Sequence, residues 1–306
     1  MQQKIVFMGT PEFSIPTLEA LITSKHKVLT VYSQPAKKAN RGQKIISSSV
    51  ETYARNKSLN VRTPINLNTD NEYNFFKKIK PDIVIVVAYG NIIPKRFLNL
   101  SKNGFINLHA SLLPKWRGAA PIQRSIMNLD NETGVSIMKI EEELDAGPII
   151  HQDKIKINEK INTLNLSKVL SQIGAKSILE TIDKIQSGKV KLQEQNHSQA
   201  TYAKKILKSE GKILWDQTAR KILAKINGMN PKPGAWFEYK TRRYKVWEAE
   251  IINESGDIGK ALNNELTIAC SDKAIKILKI QKEGKEKQDT YQFLLGNKIN
   301  KGEYIK

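Results

Sequence analysis

Two features of the sequence predict an α/β fold with a mostly parallel sheet, followed by a small second domain of β-barrel or sandwich type. Over residues 1–188, apolar β-like runs alternate with helical patterns, which is the signature of parallel strands joined by crossover helices. From residue 206 to 306 the chain breaks into short alternating segments separated by Gly, Asn and Asp. A length of 306 residues and a hydrophobic content of 40% are enough for two cores.

The strands of the first domain are expected at KIVFMG (4–9), HKVLTVYS (26–33), a short NVRTP (60–64), DIVIVVAYG (82–90) and GFINLHASLL (104–113). Helical periodicity lies between them, in PEFSIPTLEALITS (11–24) with Pro11 near its first turn, SSSVETYARNK (47–57) and DNEYNFFKKIK (70–80). APIQRSIMNLD (120–130) reads as a further helix, and GVSIMKI (134–140) and GPIIHQDKIKI (147–157) as two further strands. Residues 163–187 read as one or two amphipathic helices ending at Gly188. From 189 to 205 the polar stretch KVKLQEQNHSQATYAKK has no sustained period and reads as a linker. Beyond it come a helix in ARKILAKING (219–228) and strand-like WFEYK, YKVWEAEII, ELTIACS and AIKILKIQ. No internal repeat is visible.

Composition excludes several classes. No apolar run approaches the roughly 20 residues that span a bilayer, and MQQKIVFMGTPEF enters a strand-and-turn pattern without a signal-peptide core, so a cytoplasmic location is expected. One cysteine, Cys270, rules out an internal disulfide framework; in the apolar segment LTIAC it reads as a buried structural thiol. With one cysteine and no HExxH, no metal site is expected. A formal net charge of +20 points to an anionic partner such as nucleic acid, although a Lys-, Ile- and Asn-rich composition contributes to it. The carboxy-terminal third is the more basic per residue, with 22 Lys and Arg against 13 Asp and Glu in 201–306.

Among the motifs, MGTPEFS (8–14) occupies the strand-to-helix position of a dinucleotide loop but has one glycine where that fingerprint needs three. A nicotinamide cofactor is therefore not expected, and no GxxxxGK[ST] phosphate loop is present. QPAKKANRGQKIISSS (34–49) is longer than an ordinary connection and carries Lys37, Lys38, Arg41 and Lys44 without an acidic residue. Beside an active site, such a loop is the favoured contact for a phosphate backbone. In INLHASLLPKWRGAAPIQ (106–123), Asn107 and His109 are two apart on a strand, which points both side chains to the same side. A core histidine bonded to a carbonyl is the bland alternative. Against it stand the strand-end position, the turn-rich loop that follows, and Asp145 before a glycine in EEELDAGPII. Ser111 lies in no GxSxG elbow.

NLHASLLPKWRGAAPIQ followed by ELDAGPI resembles the folate-dependent formyltransferases. With GTPEFS, QPAKKANRGQK, VVAYGNIIP (86–94), RGAAPIQRSI, TGVSIM and NPKPGAW (230–236), the resemblance extends over nearly the whole chain to the methionyl-tRNA formyltransferase family. It implies a Rossmann-like formyltransferase catalytic domain (1–188), a linker (189–205) and an OB-like tRNA-binding β-barrel (206–306). The activity implied is transfer of the formyl group of 10-formyltetrahydrofolate to the α-amine of initiator Met-tRNA for translation initiation. The alternative is another folate-dependent formyltransferase, or a formyltetrahydrofolate hydrolase, acting on a small molecule. The family's catalytic Asn, His and Asp fall on Asn107, His109 and Asp145. Its folate-binding segment falls on Ser111, Leu112, Leu113 and Pro114, with Ala88, Tyr89 and Gly90 completing the pterin pocket by analogy. Lys204, Lys205, Arg242 and Arg243, with Lys208 and Lys245, join the 34–49 loop as expected tRNA contacts. A monomer is expected. His109 is left as either a proton shuttle or a donor to the oxyanion.

Overall fold

A computed structural model describes residues 2–39 and 44–305. The chain divides into two compact units: Met1–Gly118 with Gly134–Ile155 and Ser167–Tyr202, and Ala119–Thr133 with Lys156–Leu166 and Ala203–Lys306.

The elements run β1 (Lys4–Gly9), α1 (Ile15–Thr23), β2 (Lys27–Tyr32), β3 (Lys37–Ala39), β4 (Lys44–Ile46), α2 (Ser49–Asn56), β5 (Val61–Arg62) and α3 (Asp70–Ile79). Next come β6 (Ile83–Val87), α4 (Lys95–Leu98), β7 (Phe105–His109), β8 (Arg117–Gly118), α5 (Pro121–Met127), β9 (Glu132–Lys139), β10 (Ile149–Lys156) and α6 (Thr163–Gln186). The chain ends with β11 (Tyr202–Ala203), α7 (Ala219–Met229), β12 (Ala235–Tyr239), β13 (Arg242–Ile252), β14 (Thr267–Ala269), β15 (Ala274–Lys282), β16 (Gln288–Asp289) and α8 (Thr290–Gly296).

The main sheet has the order β10-β9-β7-β6-β1-β2-β5. The pairs β1–β2, β1–β6, β2–β5 and β6–β7 are parallel, and β7–β9 is antiparallel. All five residues of β6, IVIVV, are buried, as a strand covered on both faces requires. Helix starts follow their caps: the Ser48 hydroxyl accepts from Glu51 N at 2.9 Å ahead of α2, and the Thr69 hydroxyl accepts from Glu72 N at 3.3 Å ahead of α3. The expected helix at 11–24 is divided. A 3-10 turn at Glu12–Ser14 precedes α1, whose first turn holds Pro16, because a residue without an N–H is tolerated only where no intrahelical bond is due. Residues 163–186 form one helix. The 34–49 stretch contains the antiparallel pair β3–β4.

The second unit has an antiparallel sheet of order β12-β13-β15-β14, with β16 on β15. Among the described residues this strand order closes no barrel. Its core gathers Trp215, Phe237, Tyr244, Ile268, Ile277 and Phe293, with Phe237 and Tyr244 stacked at 5.5 Å. Fully burying each such side chain contributes roughly 1.5–3 kcal/mol. Cys270 packs in this core, and burial pushes its thiol up to about 12. Among the described residues no helix is long and apolar enough to cross a membrane.

Candidate active site

In an open α/β sheet, ligands bind beyond the carboxyl ends of the strands where the connections diverge. Here those ends belong to β1, β6 and β7. The β1 and β6 loops are tied together: the Thr10 hydroxyl donates to Tyr89 O at 2.7 Å and the Ser14 hydroxyl to Val87 O at 2.6 Å. Ala88 and Gly90 are exposed around the buried Tyr89, with φ of 46° and 81°. The φ of Gly90 lies in the left-handed region that favours glycine, and the Gln34 side chain of the β2 loop packs against it.

His109 is the last residue of β7 and is 6% exposed; Asn107, two residues earlier, is half-buried. Asn107 pairs in register with Val86 on one side and Met138 on the other. Among the described residues its side-chain amide has no hydrogen-bond partner, which leaves it free for a ligand. His109 Nε2 lies 2.9 Å from Trp116 O. A carbonyl only accepts, so Nε2 carries the proton of that bond. The other ring nitrogen, Nδ1, is 3.6 Å from Asp145 Oδ2. The carbonyl bond of the bland alternative is therefore present, and the carboxylate lies on the opposite edge of the same ring.

Asp145 is placed by its own loop. Its carboxylate accepts from Gly118 N at 2.8 Å, and its backbone is left-handed, with φ of 50°. Aspartate tolerates this conformation better than most residues with a Cβ, and further contacts hold it here. Gln195 supplies them: its Nε2 donates to Asp145 O at 2.9 Å and to Gly147 O at 2.8 Å. On its other side Gln195 Oε1 accepts from Arg117 Nε at 3.2 Å and Nη2 at 2.9 Å. The Arg117 side chain is 1% exposed and completes its contacts with Glu143 Oε1 at 3.3 Å and His197 Nδ1 at 3.4 Å.

The segment after His109 is equally fixed. The Ser136 hydroxyl of β9 donates to Ser111 O at 2.6 Å and accepts from Leu113 N at 3.0 Å. Gln152 Nε2 of β10 donates to Leu113 O at 3.0 Å. Ser111 and Leu113 are buried, Leu112 and Pro114 half-buried, and Leu113 packs with Met138 and Ile149.

The first unit thus brings Asn107, His109 and Asp145 to one strand end, with residues 111–114 directly after it. Sequence reasoning missed Gln195 and the buried Arg117. Arg117 lies in a stretch that reads as a turn, and Gln195 in one that reads as a linker. Of the expected tRNA contacts, Lys37 is exposed and donates to Gln34 Oε1 at 2.5 Å, while the backbones of Lys38 and Lys44 lie in β3 and β4. Arg41 falls outside the described residues. In the second unit Lys204, Lys205, Lys208, Arg242 and Arg243 are exposed, and half-buried Lys245 donates to Pro233 O at 2.9 Å. Arg243 lies 4.3 Å from the Trp236 ring centre and 3.4 Å from Glu238 Oε1.

Comparison with known proteins places the chain in a family. A family model described as "Formyl transferase" matches residues 3–182, and one described as "Formyl transferase, C-terminal domain" matches residues 205–298. The methionyl-tRNA formyltransferase of Pelagibacter ubique is 50% identical over 100% of this chain and 99% of its own length. In fold, the chain is similar to HypX from Aquifex aeolicus in complex with tetrahydrofolic acid, with a TM-score of 0.69 at 16% identity; the match covers 99% of this chain and 51% of HypX. It is also similar to WlaRD, a sugar 3N-formyl transferase, with a TM-score of 0.68 at 19% identity, covering 94% of this chain and 100% of that one.

Proposed function

The chain belongs to the methionyl-tRNA formyltransferase family, and from that membership we propose that it moves the formyl group of 10-formyltetrahydrofolate to the α-amine of initiator Met-tRNA. The observation that carries the chemistry is an amide without a partner among the described residues and a carboxylate-facing imidazole at one strand end.

In the reaction a neutral amine attacks the formyl carbon, charge develops on the formyl oxygen, and the folate nitrogen leaves after taking up a proton. Asn107 donates its free amide N–H to the developing oxyanion; losing one such preorganised donor costs about 10²–10³ in rate. His109 holds Nε2 against Trp116 O, so Nδ1 is the ring position that accepts and returns the proton. Asp145, at 3.6 Å, stabilises the imidazolium formed in transit, while the bond to Trp116 O orients the ring. Ser111, Leu112, Leu113 and Pro114 wall the pterin, with Ala88, Tyr89 and Gly90 completing the pocket. Backbone rigidity from Ser136 and Gln152 supports that role.

The tRNA contacts proposed are Lys37, Lys38, Arg41 and Lys44 near the acceptor end, and Lys204, Lys205, Arg242 and Arg243 in the second unit, with a monomer as the acting species. Exposure of the second-unit cations supports this assignment. The test is incubation of the chain with 10-formyltetrahydrofolate and charged initiator tRNA, followed by identification of the amino acid released from the tRNA. Formylmethionine is the expected product. Formate release without it would favour a hydrolase, and formylation of a small amine alone would favour a small-molecule transferase.

A further inference from the structure

We infer that Gln195 is a positioning residue for the formyl-transfer step, acting as a rigid coupler between the buried Arg117 and the backbone that carries Asp145. This rests on the reading of Asp145 as the partner of His109. Gln195 is 5% exposed and uses its full hydrogen-bonding capacity, with both N–H groups on the carbonyls of Asp145 and Gly147 and its oxygen on two nitrogens of Arg117. An amide with donors on one side and an acceptor on the other suits this place, because the loop offers only carbonyls and Arg117 only N–H groups.

The chain at Asp145 has little freedom to find this position unaided. Its backbone is left-handed, with φ of 50°, and Gly147 is confined, since a Cβ there would overlap the Lys139 carbonyl oxygen. Arg117 in turn precedes Gly118, whose N–H donates to Asp145 Oδ2 at 2.8 Å. The coupler therefore closes a ring: Arg117 to Gln195, Gln195 to the Asp145 backbone, and the Asp145 carboxylate back to the residue after Arg117. Fixing both ends of Asp145 sets the 3.6 Å approach of its carboxylate to His109.

Gln195→Glu separates the two halves of the coupler. It keeps the size of the side chain and gives Arg117 a carboxylate, but an ionised carboxylate has no N–H for the two loop carbonyls. Gln195→Met, similar in volume, removes all four bonds and serves where the buried carboxylate prevents folding. A misplacement of Asp145 by about 1 Å lowers kcat roughly 10- to 100-fold, with KM for folate and Met-tRNA expected to stay within about threefold. In the same variant, exchange of the Gly118 amide, measured by NMR, accelerates at least about tenfold, while the Arg117 amide, bonded to Thr201 O, keeps its protection. Unaltered Gly118 exchange in a folded variant overturns the inference, as does unaltered kcat. If the parent chain transfers no formyl group, the function proposed above fails, and the exchange measurement still decides whether Gln195 places Asp145.

Discussion

At Asp145 a carboxylate is held by a backbone amide on a left-handed residue, facing a histidine whose other nitrogen is already committed to Trp116 O. Such an arrangement fixes a carboxylate beside the ring, which a core histidine would not need. Asp145→Asn retains an oxygen for Gly118 but loses the charge that stabilises a proton on Nδ1. Its kcat for formyl transfer is expected to fall roughly 10²- to 10⁴-fold, with an unfolding midpoint close to that of the parent. A variant within about twofold of the parent rate would remove Asp145 from the chemistry.

At the scale of elements, the site is a strand end braced from two sides. Ser136 on β9 pairs with both Ser111 O and Leu113 N, so Ser136→Ala leaves a buried N–H and C=O without that partner, at about 1–3 kcal/mol. The expected result is weaker folate binding by roughly tenfold or more, with kcat changed less than KM; steady-state kinetics against folate checks it, and an unchanged KM would contradict the bracing role. Much of this architecture was legible in the chain. The Asn107 and His109 spacing follows from the period of two in a strand, and the buried IVIVV of β6 from its unbroken apolar run. Gln195 was not legible, because a polar residue in an aperiodic stretch carries no sign that it will be buried; its value comes from Arg117, 78 positions away. The division of 11–24 has a local cause: of its two prolines, Pro16 rather than Pro11 sets where α1 begins, and periodicity alone does not choose between them. The expected barrel rested on short alternating strands, a pattern that specifies antiparallel pairing but not closure.

Across the whole molecule, a net charge of +20 and exposed cations at Lys204, Lys205, Arg242 and Arg243 fit a polyanionic substrate. The KM for Met-tRNA is expected to rise steeply with salt while the KM for folate changes little. Charge reversal at Arg242 and Arg243 together should lower the slope of log KM against log salt by about 1–2; an unchanged slope would remove them from the interface. Formyl transfer to a charged tRNA would draw on both this surface and the strand-end site. Its most direct test is transfer of labelled formyl from 10-formyltetrahydrofolate to initiator Met-tRNA at saturating substrates, by the parent chain and by His109→Ala. Labelled formylmethionyl-tRNA from the parent, with a rate reduced roughly 10²- to 10⁴-fold in His109→Ala, is the result predicted. No labelled product from the parent, or equal rates from both, would contradict the account.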